Sequence, residues 1–510
     1  MDMALVDQDL RSIQETRQIV AKAHQAQNIY KSFSQSQIDI IIEKMAIAAE
    51  KEATRLAKLA KEETGYGRWQ DKVIKNQFAS KVVYNNIKDL KTVGIIKEDT
   101  ANKVMDIAVP VGVIAGLIPS TNPTSTTIYK ALIALKAGNG IVFSPHPSAR
   151  KCIMETVNIL SKAATEAGAP EGIIGCLTVL SLEGTNTLMR HKDIALILAT
   201  GGEAMVKAAY SSGNPAIGVG PGNGPAFIEK TADIKMAVKR IIDSKTFDNG
   251  VICASEQSIV IESIIKEQVV LELQKQGGHF LNPSESEKLG KYLLRANGTI
   301  NPQIVGKSAE ELAAIVGITI PVGTKILMSA QTTVSKENPY SREKLAPILA
   351  FYIEQDWESA CERCIELLQN EGQGHTLIIH SSNNEVIREF ALRKPVSRLL
   401  VNTPGALGGI GGTTNLFPAL TLGCGAVGGS STSDNVGPMN LLNIKRLAYG
   451  IKELDDLKDH GTSSESQSLP EEEVIRLLLQ KTNCDGRLTG EELEEMLKNI
   501  LQKLSDRSIS

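Results

Sequence analysis

Residues 107–145, IAVPVGVIAGLIPSTNPTSTTIYKALIALKAGNGIVFSP, decide the fold. An apolar run of strand length gives way to a polar turn, then to a helical pattern closed by Gly138, then to a second apolar run. Short continuous apolar strands separated by helices are what a parallel sheet buried on both faces requires, because each crossover lays a helix across the sheet. The alternation runs on through SARKCIMETVNILSKAATEAG (148–168), a helix, and the strand-like IIGCLTVL (173–180) and IALILATGG (194–202). It starts afresh at PAFIEKTADIKMAVKRIIDSKTF (225–247) and continues through EQSIVIES, KEQVVLELQKQ, EKLAPILAFY and HTLIIHS, a second α/β domain. Upstream, Asp9 to Gln27 and the periodic stretch 38–63 read as helices.

A chain of 510 residues exceeds what one core holds, so at least two domains are expected. With 42 % apolar and 22 % charged residues the composition is that of a globular enzyme, not of a disordered chain. A net charge of −3 offers no field for nucleic acid or an anionic membrane, and no segment approaches a membrane span. The N-terminal MDMALVDQDLRSIQE lacks a basic stretch ahead of an apolar one, so no secretory leader is expected. Seven scattered cysteines do not form a disulfide framework, and no zinc-like spacing occurs, so no metal is expected.

Two glycine and cysteine patterns lead nowhere. The literal GxGxxG at Gly423, Gly425 and Gly428 is followed by SSTSDN and not by a helix, so it lacks the strand–turn–helix setting that gives the motif its mechanism. The CxxC at Cys361 and Cys364 falls on an apolar helix face and reads as core. Cys253, in TFDNGVICASEQSIV, is different. It follows a turn-rich Asp248-Asn249-Gly250, between a helix ending near Thr246 and a strand beginning near Gln257, where backbone amides could depress a thiol pKa. Spacing alone leaves a buried structural cysteine open as well.

TFDNGVICASEQ resembles the catalytic-cysteine segment of the aldehyde dehydrogenase superfamily, in its CoA-acylating branch. Four other segments agree in order: ETGYGRWQDKVIKN (63–76), IPSTNPTST (118–126), LATGG (198–202) and LTLGCGAVGGSSTSDNVGP (420–438) followed by LLNIK. The resemblance covers about 10–450 and implies an α/β aldehyde dehydrogenase fold with a Rossmann-like nucleotide-binding domain. It implies Cys253 as the nucleophile and Asn122 as the amide that holds the substrate oxygen. Pro119, Ser120, Thr121, Ser144, His146 and Gly220 are then expected beside the cofactor. Thr200, Gly201 and Gly202 would approach its pyrophosphate at a helix N-terminus, and Glu343 its nicotinamide ribose. His375, whose Gly-His pair recurs in the acylating branch, is the candidate thiol-activating base, with a hydrogen-bonded structural histidine as the other reading.

Hydrolytic members carry a glutamate in a V-E-L-G-G type segment, where it activates water. The corresponding stretch, Ala216–Pro225, contains no acid. General-base assistance is worth about 10²–10⁴ in rate, so its loss preserves an acyl-enzyme for a thiol. The expectation is a ping-pong oxidation of a short aldehyde, acetaldehyde or propionaldehyde, to acyl-CoA with NAD as cofactor and CoA as co-substrate. The alternatives are a hydrolytic aldehyde dehydrogenase, an acyl-phosphate enzyme of similar fold, and a cargo or scaffold protein.

The expected organisation is a nucleotide domain over 1–225 with oligomerisation strands near 99–110, a catalytic domain over 226–425, and an oligomerisation arm over 426–450. A linker follows over 451–469, where KDHGTSSESQS has no apolar residue, and then an amphipathic tail over 470–510. Bifunctional aldehyde–alcohol dehydrogenases share this half, and no alcohol dehydrogenase domain is expected beyond it. In the tail, Leu493, Met496, Leu497, Ile500, Leu501 and Leu504 share one helical stripe. An amphipathic helix beyond a linker can dock onto its own domain; such tails also resemble encapsulation peptides, which implies shell or core partners and a cytoplasmic location inside a bacterial microcompartment. The family implies a homodimer or homotetramer.

Overall fold

In the computed structural model, the described residues are 7–458 and scattered helical positions between 490 and 498. The chain divides into two compact units, 1–447 and 448–510. The second contributes the short helix Leu454–Lys458 to the described residues. Most of the expected linker and nearly all of the expected amphipathic tail lie outside the described residues.

Two parallel sheets organise the first unit. The first contains β1 (Val113–Ile118), β2 (Gly140–Pro145), β3 (Ile174–Cys176), β4 (Ile194–Thr200) and β5 (Ala216–Val219), in the order β3-β2-β1-β4-β5. That order is a doubly wound one, with its switch point between β1 and β4, where ligands bind at strand C-termini. The second sheet contains β6 (Pro225–Ile228), β7 (Ser258–Glu262), β8 (Gly278–Phe280), β9 (Ile326–Ala330), β10 (Ile348–Glu354), β11 (Gly374–His380) and β12 (Val396–Val401). Its order is β8-β9-β10-β7-β6-β11-β12.

Helix α1 (Trp69–Gln77) lies in the N-terminal helical layer, behind Gln8–Tyr30, Gln35–Lys51 and Ala53–Thr64. Ser34 and Gln37 form the capping box that starts the second of these. Helix α2 (Pro123–Lys136) is buried along its full length because it crosses the sheet beneath other helices. Its Lys130 is buried too, and donates to Leu117 O at 2.9 Å and Leu198 O at 2.8 Å, tying the ends of β1 and β4 together at the switch point. Burial pushes that ammonium down to about 7.

The opening apolar run is not one strand. It breaks at Pro110–Gly112: the first part, Val104–Pro110, pairs antiparallel with Gly94–Asp99, and the second becomes β1. Proline cannot donate to a ladder, and Gly112 takes φ +133 beside Ala195, so the chain changes sheets there. Leu442–Ala448 completes this three-stranded sheet. Residues preceding that strand pack on the main body, with Ser430 Oγ donating to Gly218 O at 2.8 Å.

Cys361 and Cys364 are buried in one core cluster, as the apolar face indicates. The Gly423–Gly428 stretch leads into a single 3-10 turn, not a helix. Its glycines serve packing: a Cβ on Gly428 would lie 2.4 Å from Gln373 O. Among the described residues no helix is long and apolar enough to cross a membrane.

Candidate active site

A cleft of about 450 Å³ opens at the C-terminal ends of β1, β2, β4 and β5, the size of a small-molecule or cofactor site. Pro119, Ser120, Thr121 and Asn122 enter it from the turn between β1 and α2. Ser144 and His146 enter from the end of β2, Thr200, Gly201 and Gly202 from the end of β4, and Gly220 from beyond β5. Cys253 and Glu343 reach it from the second sheet's side. Twelve of the thirteen residues anticipated from sequence thus share one wall; His375 is the exception.

Cys253 sits on the connection between α4 (Ile234–Thr246, with α3 being Glu203–Tyr210) and β7. Asp248, Asn249 and Gly250 all have positive φ, 49°, 53° and 76°, a left-handed run that turns the chain sharply before the cysteine. The thiol is half-buried and free. Burial, then the charges of Glu343 and Cys424, push it up to about 12, while Arg398 and its own backbone N–H pull the other way.

Asn122 occupies the N-cap position of α2, with Pro123 as the first helical residue. Its Oδ1 accepts from Lys75 Nζ at 2.6 Å and its Nδ2 donates to Val251 O at 2.9 Å. Glu343 Oε1 accepts from Gly222 N at 2.8 Å, inside the acid-free stretch. Burial and Glu371 push Glu343 up to about 8, against the Gly222 amide and Lys245. The thiol therefore faces a carboxyl that is protonated at neutral pH.

His375 lies within β11, one residue past its start, because the ladder with β12 begins at Gly374. It sits behind Gly222: a Cβ there would meet Cys253 O at 2.0 Å and His375 Cε1 at 3.3 Å. Nδ1 shares a hydrogen bond with Thr376 Oγ1, and Nε2 is buried without a partner. Burial and Arg398 lower the imidazole to about 3, so it is neutral. Arg398, which sequence reasoning missed, donates to His375 O at 3.0 Å and Gly423 O at 2.7 Å. A lone arginine in the apolar strand VSRLLV was its available signal.

Also missed were the lysines Lys72 and Lys75 of α1, both buried and both paired with Asp248 Oδ2, at 2.9 and 2.5 Å. The motif 63–76 had flagged their segment without assigning it a task.

A dinucleotide fits the wall on two structural grounds. No side chain caps the start of α3, which leaves its first amides free for phosphate. Added Cβ atoms on Gly202 and Gly220 would meet nothing within 4 Å, so that side is open to a ligand. Ser144 is held in place by Thr185 Oγ1 at 2.9 Å, and Thr200 faces Thr421 Oγ1 at 3.3 Å. Among the described residues no group of three or more His, Cys, Asp or Glu is placed to hold a metal ion.

Residues 6–363 match the aldehyde dehydrogenase family profile. The chain belongs to that family. An Escherichia coli K12 bifunctional aldehyde-alcohol dehydrogenase is 46 % identical over 442 residues, which are 86 % of this chain and 50 % of that one. This aldehyde dehydrogenase chain thus spans about half the length of the bifunctional curated relatives it matches. An acetylating aldehyde dehydrogenase from Geobacillus thermoglucosidasius superposes with TM-score 0.87 at 54 % identity, over 88 % of this chain and 99 % of that one. A propionaldehyde dehydrogenase from a Clostridium phytofermentans fucose-utilisation microcompartment matches with TM-score 0.78 at 29 % identity, over 86 % and 98 %. A Rhodopseudomonas palustris propionaldehyde dehydrogenase solved with bound CoA and an acylated cysteine matches with TM-score 0.78 at 27 % identity, over 85 % and 97 %.

Proposed function

We propose that this chain oxidises a short aldehyde, acetaldehyde or propionaldehyde, to its acyl-CoA. The observation that carries the reading is a thiol, Cys253, and an amide, Asn122, on one cleft wall whose neighbouring stretch 216–225 holds no acid. The Cys253 thiol gives its proton to solvent and its sulfur adds to the aldehyde carbon, while Asn122 Nδ2 and the Cys253 amide hold the resulting oxyanion. Oxidation of this adduct to a thioester on Cys253 needs a hydride acceptor, which NAD+ would supply when bound. Thr200, Gly201, Gly202 and Gly220 would hold its phosphates, Glu343 its nicotinamide ribose, and Pro119, Ser120, Thr121, Ser144 and His146 the rest of its length. The thioester then persists because no carboxylate in 216–225 can deprotonate water beside it.

The CoA thiolate attacks the thioester carbon and expels Cys253 as thiolate, which closes the cycle. His375, whose Nε2 is buried without a partner, lies across Gly222 from the Cys253 loop and is the candidate base. A shift of that loop would expose its free Nε2 to a thiol.

Incubation with NAD+ and two- to four-carbon aldehydes, with and without CoA, followed by mass spectrometry of the products, tests the reading. Acyl-CoA formed only with CoA, and lost in Cys253→Ala, is the expected result. Free acid formed equally fast without CoA would overturn it.

We also propose that the nucleotide domain spans 1–225 with oligomerisation strands near 99–110, the catalytic domain 226–425, and the oligomerisation arm 426–450, whose strand Leu442–Ala448 shares a sheet with Gly94–Asp99 and Val104–Pro110. Exposed Ile95, Val109 and Leu447 on that sheet support pairing with a second copy, as a homodimer or homotetramer. The stripe in 470–510, together with the microcompartment origin of one relative, supports a role for the tail in encapsulation. Sedimentation of the full chain, and of one ending at 458, against shell proteins tests both.

A further inference from the structure

Lys75 is a buried charge in the cleft that the acyl-transfer mechanism leaves without a task. Its ammonium donates to Asn122 Oδ1 at 2.6 Å and to Asp248 Oδ2 at 2.5 Å. Lys72, one turn earlier, donates to Thr121 O at 3.0 Å and to the same carboxylate at 2.9 Å. Asp248 Oδ1 accepts from Arg68 N at 2.6 Å, and Asp248 N donates to Asp71 Oδ2 at 2.9 Å. The start of α1 thereby holds both the turn bearing Asn122 and the turn leading to Cys253.

The two ends of a primary amide have nearly the same shape, so their partners decide which end faces the reaction. An ammonium has only hydrogens to offer and can hold only the oxygen end. That choice leaves Nδ2 facing the Cys253 segment. One of its hydrogens goes to Val251 O at 2.9 Å, and the other meets Thr121 Oγ1 at a loose 3.4 Å. The second hydrogen is therefore the one an aldehyde oxygen can take over. The Lys75 ammonium on Oδ1 polarises the amide, so that its N–H becomes a better donor as the substrate oxygen becomes negative.

We propose that Lys75 is a positioning residue that fixes Asn122 as the hydrogen-bond donor to the aldehyde oxygen, a role that rests on the acyl-transfer reading. The test uses the full-length enzyme with NAD+, CoA and acetaldehyde, and compares Lys75→Met, Lys75→Arg, Asn122→Ala and the Lys75→Met/Asn122→Ala double variant. Loss of one oxyanion donor costs on the order of 10²–10³ in kcat, so Lys75→Met is expected to lower kcat about 100-fold. The aldehyde KM should stay within about threefold, and Lys75→Arg should recover about tenfold of the loss.

In the Asn122→Ala background the same Lys75→Met change should cost less than about threefold, since its target is gone. A lysine serving only the fold would cost the same in both backgrounds. That additivity, or a folded Lys75→Met enzyme with kcat within about threefold of wild type, overturns the proposal. If Lys75→Met does not fold, Lys75→Gln takes its place in the cycle. Its amide can still donate to Asn122 Oδ1 but carries no charge, so an intermediate loss of about tenfold, confined to the Asn122 background, is expected, and an equal loss in both backgrounds overturns the proposal. Wild-type enzyme that forms no NADH from aldehyde and CoA would instead defeat the acyl-transfer reading, and this inference with it.

Discussion

Replacing Asp248 by Asn removes the one carboxylate between Lys72 and Lys75 while keeping its shape. Burial alone would raise the Asp248 pKa, but Lys75 and Lys72 hold it below the ordinary carboxylate value. Lys75 is lowered by burial to about 8, with Asp248 as the main opposing influence. Relative to an unfolded value of about 10.4, that shift already costs about 3 kcal/mol at pH 7. Without the carboxylate, Lys75 can at most become fully neutral, a ceiling of about 5 kcal/mol, so its share of the damage is at most about 1–2 kcal/mol. Loss of charge-assisted hydrogen bonds adds about 1.5–3 kcal/mol.

A total near 3 kcal/mol should accelerate local opening roughly 150-fold. Hydrogen–deuterium exchange in 66–77 and 246–254 reads it directly. The pH dependence has a fixed sign. The Asp248 contribution is full above its unfolded pKa of about 3.9 and is lost as pH falls through its lower folded value, so the acid limb should flatten in Asp248→Asn. The Lys75 penalty is relieved as pH rises from about 8 towards about 10.4, and in the variant this relief should begin at lower pH. Exchange within about threefold of wild type in both segments, with unchanged pH limbs, would refute the assigned ion pairs.

Val219 ends β5 on the cleft wall, and Val219→Glu places a carboxylate in the acid-free stretch; release of free acid without CoA should rise about tenfold, read by product mass spectrometry, and no rise would count against the water-exclusion argument. With the Cys253 thiol pushed up to about 12, its alkylation by iodoacetamide should quicken about tenfold per pH unit between 7 and 10 in the free enzyme. Because Glu343 titrates at about 8 and its charge opposes the thiolate, Glu343→Gln should speed alkylation above pH 8 and leave it unchanged at pH 7; equal rates at pH 9.5 would refute that coupling. Arg398→Met removes the cation that favours the thiolate and should slow alkylation at pH 9, with a loss of thermal stability from the uncovered carbonyls of His375 and Gly423.

The parallel sheets were legible because their cause is local: an apolar strand followed by a helix of adequate length has one efficient way to bury both. The turn at 248–250 was legible for the same reason, as Asp-Asn-Gly tolerates left-handed backbone and therefore marks a sharp bend before Cys253. The change of sheet at Pro110–Gly112 was written in the sequence, but a run of apolar residues on both sides masks it. The first residue of β11 was less legible, since a strand's start is set by its neighbours' ladder and not by its own propensity. The ion pairs at Asp248 could not be read at all. They join residues 176 and 173 positions apart, and nothing in a helix of ordinary polarity says which of its lysines will be buried.

The location of that unreadable cluster bears on how the fold supports the chemistry. Asn122 belongs to the first sheet and Cys253 to the approach to the second, so their relative position is a property of how two sheets meet, not of either turn. A helix outside both sheets is a better reference than a contact within one, because a shift of either sheet must then stretch a buried charged hydrogen bond. Lys72 fixes the Thr121 carbonyl, Lys75 the Asn122 amide, and both close on Asp248, five residues before the thiol. The desolvation cost of that cluster makes it a poor stabiliser by itself. Its presence is understandable if it registers Cys253 and Asn122 against each other to within a few tenths of an ångström, the tolerance that the proposed chemistry by positioned dipoles demands.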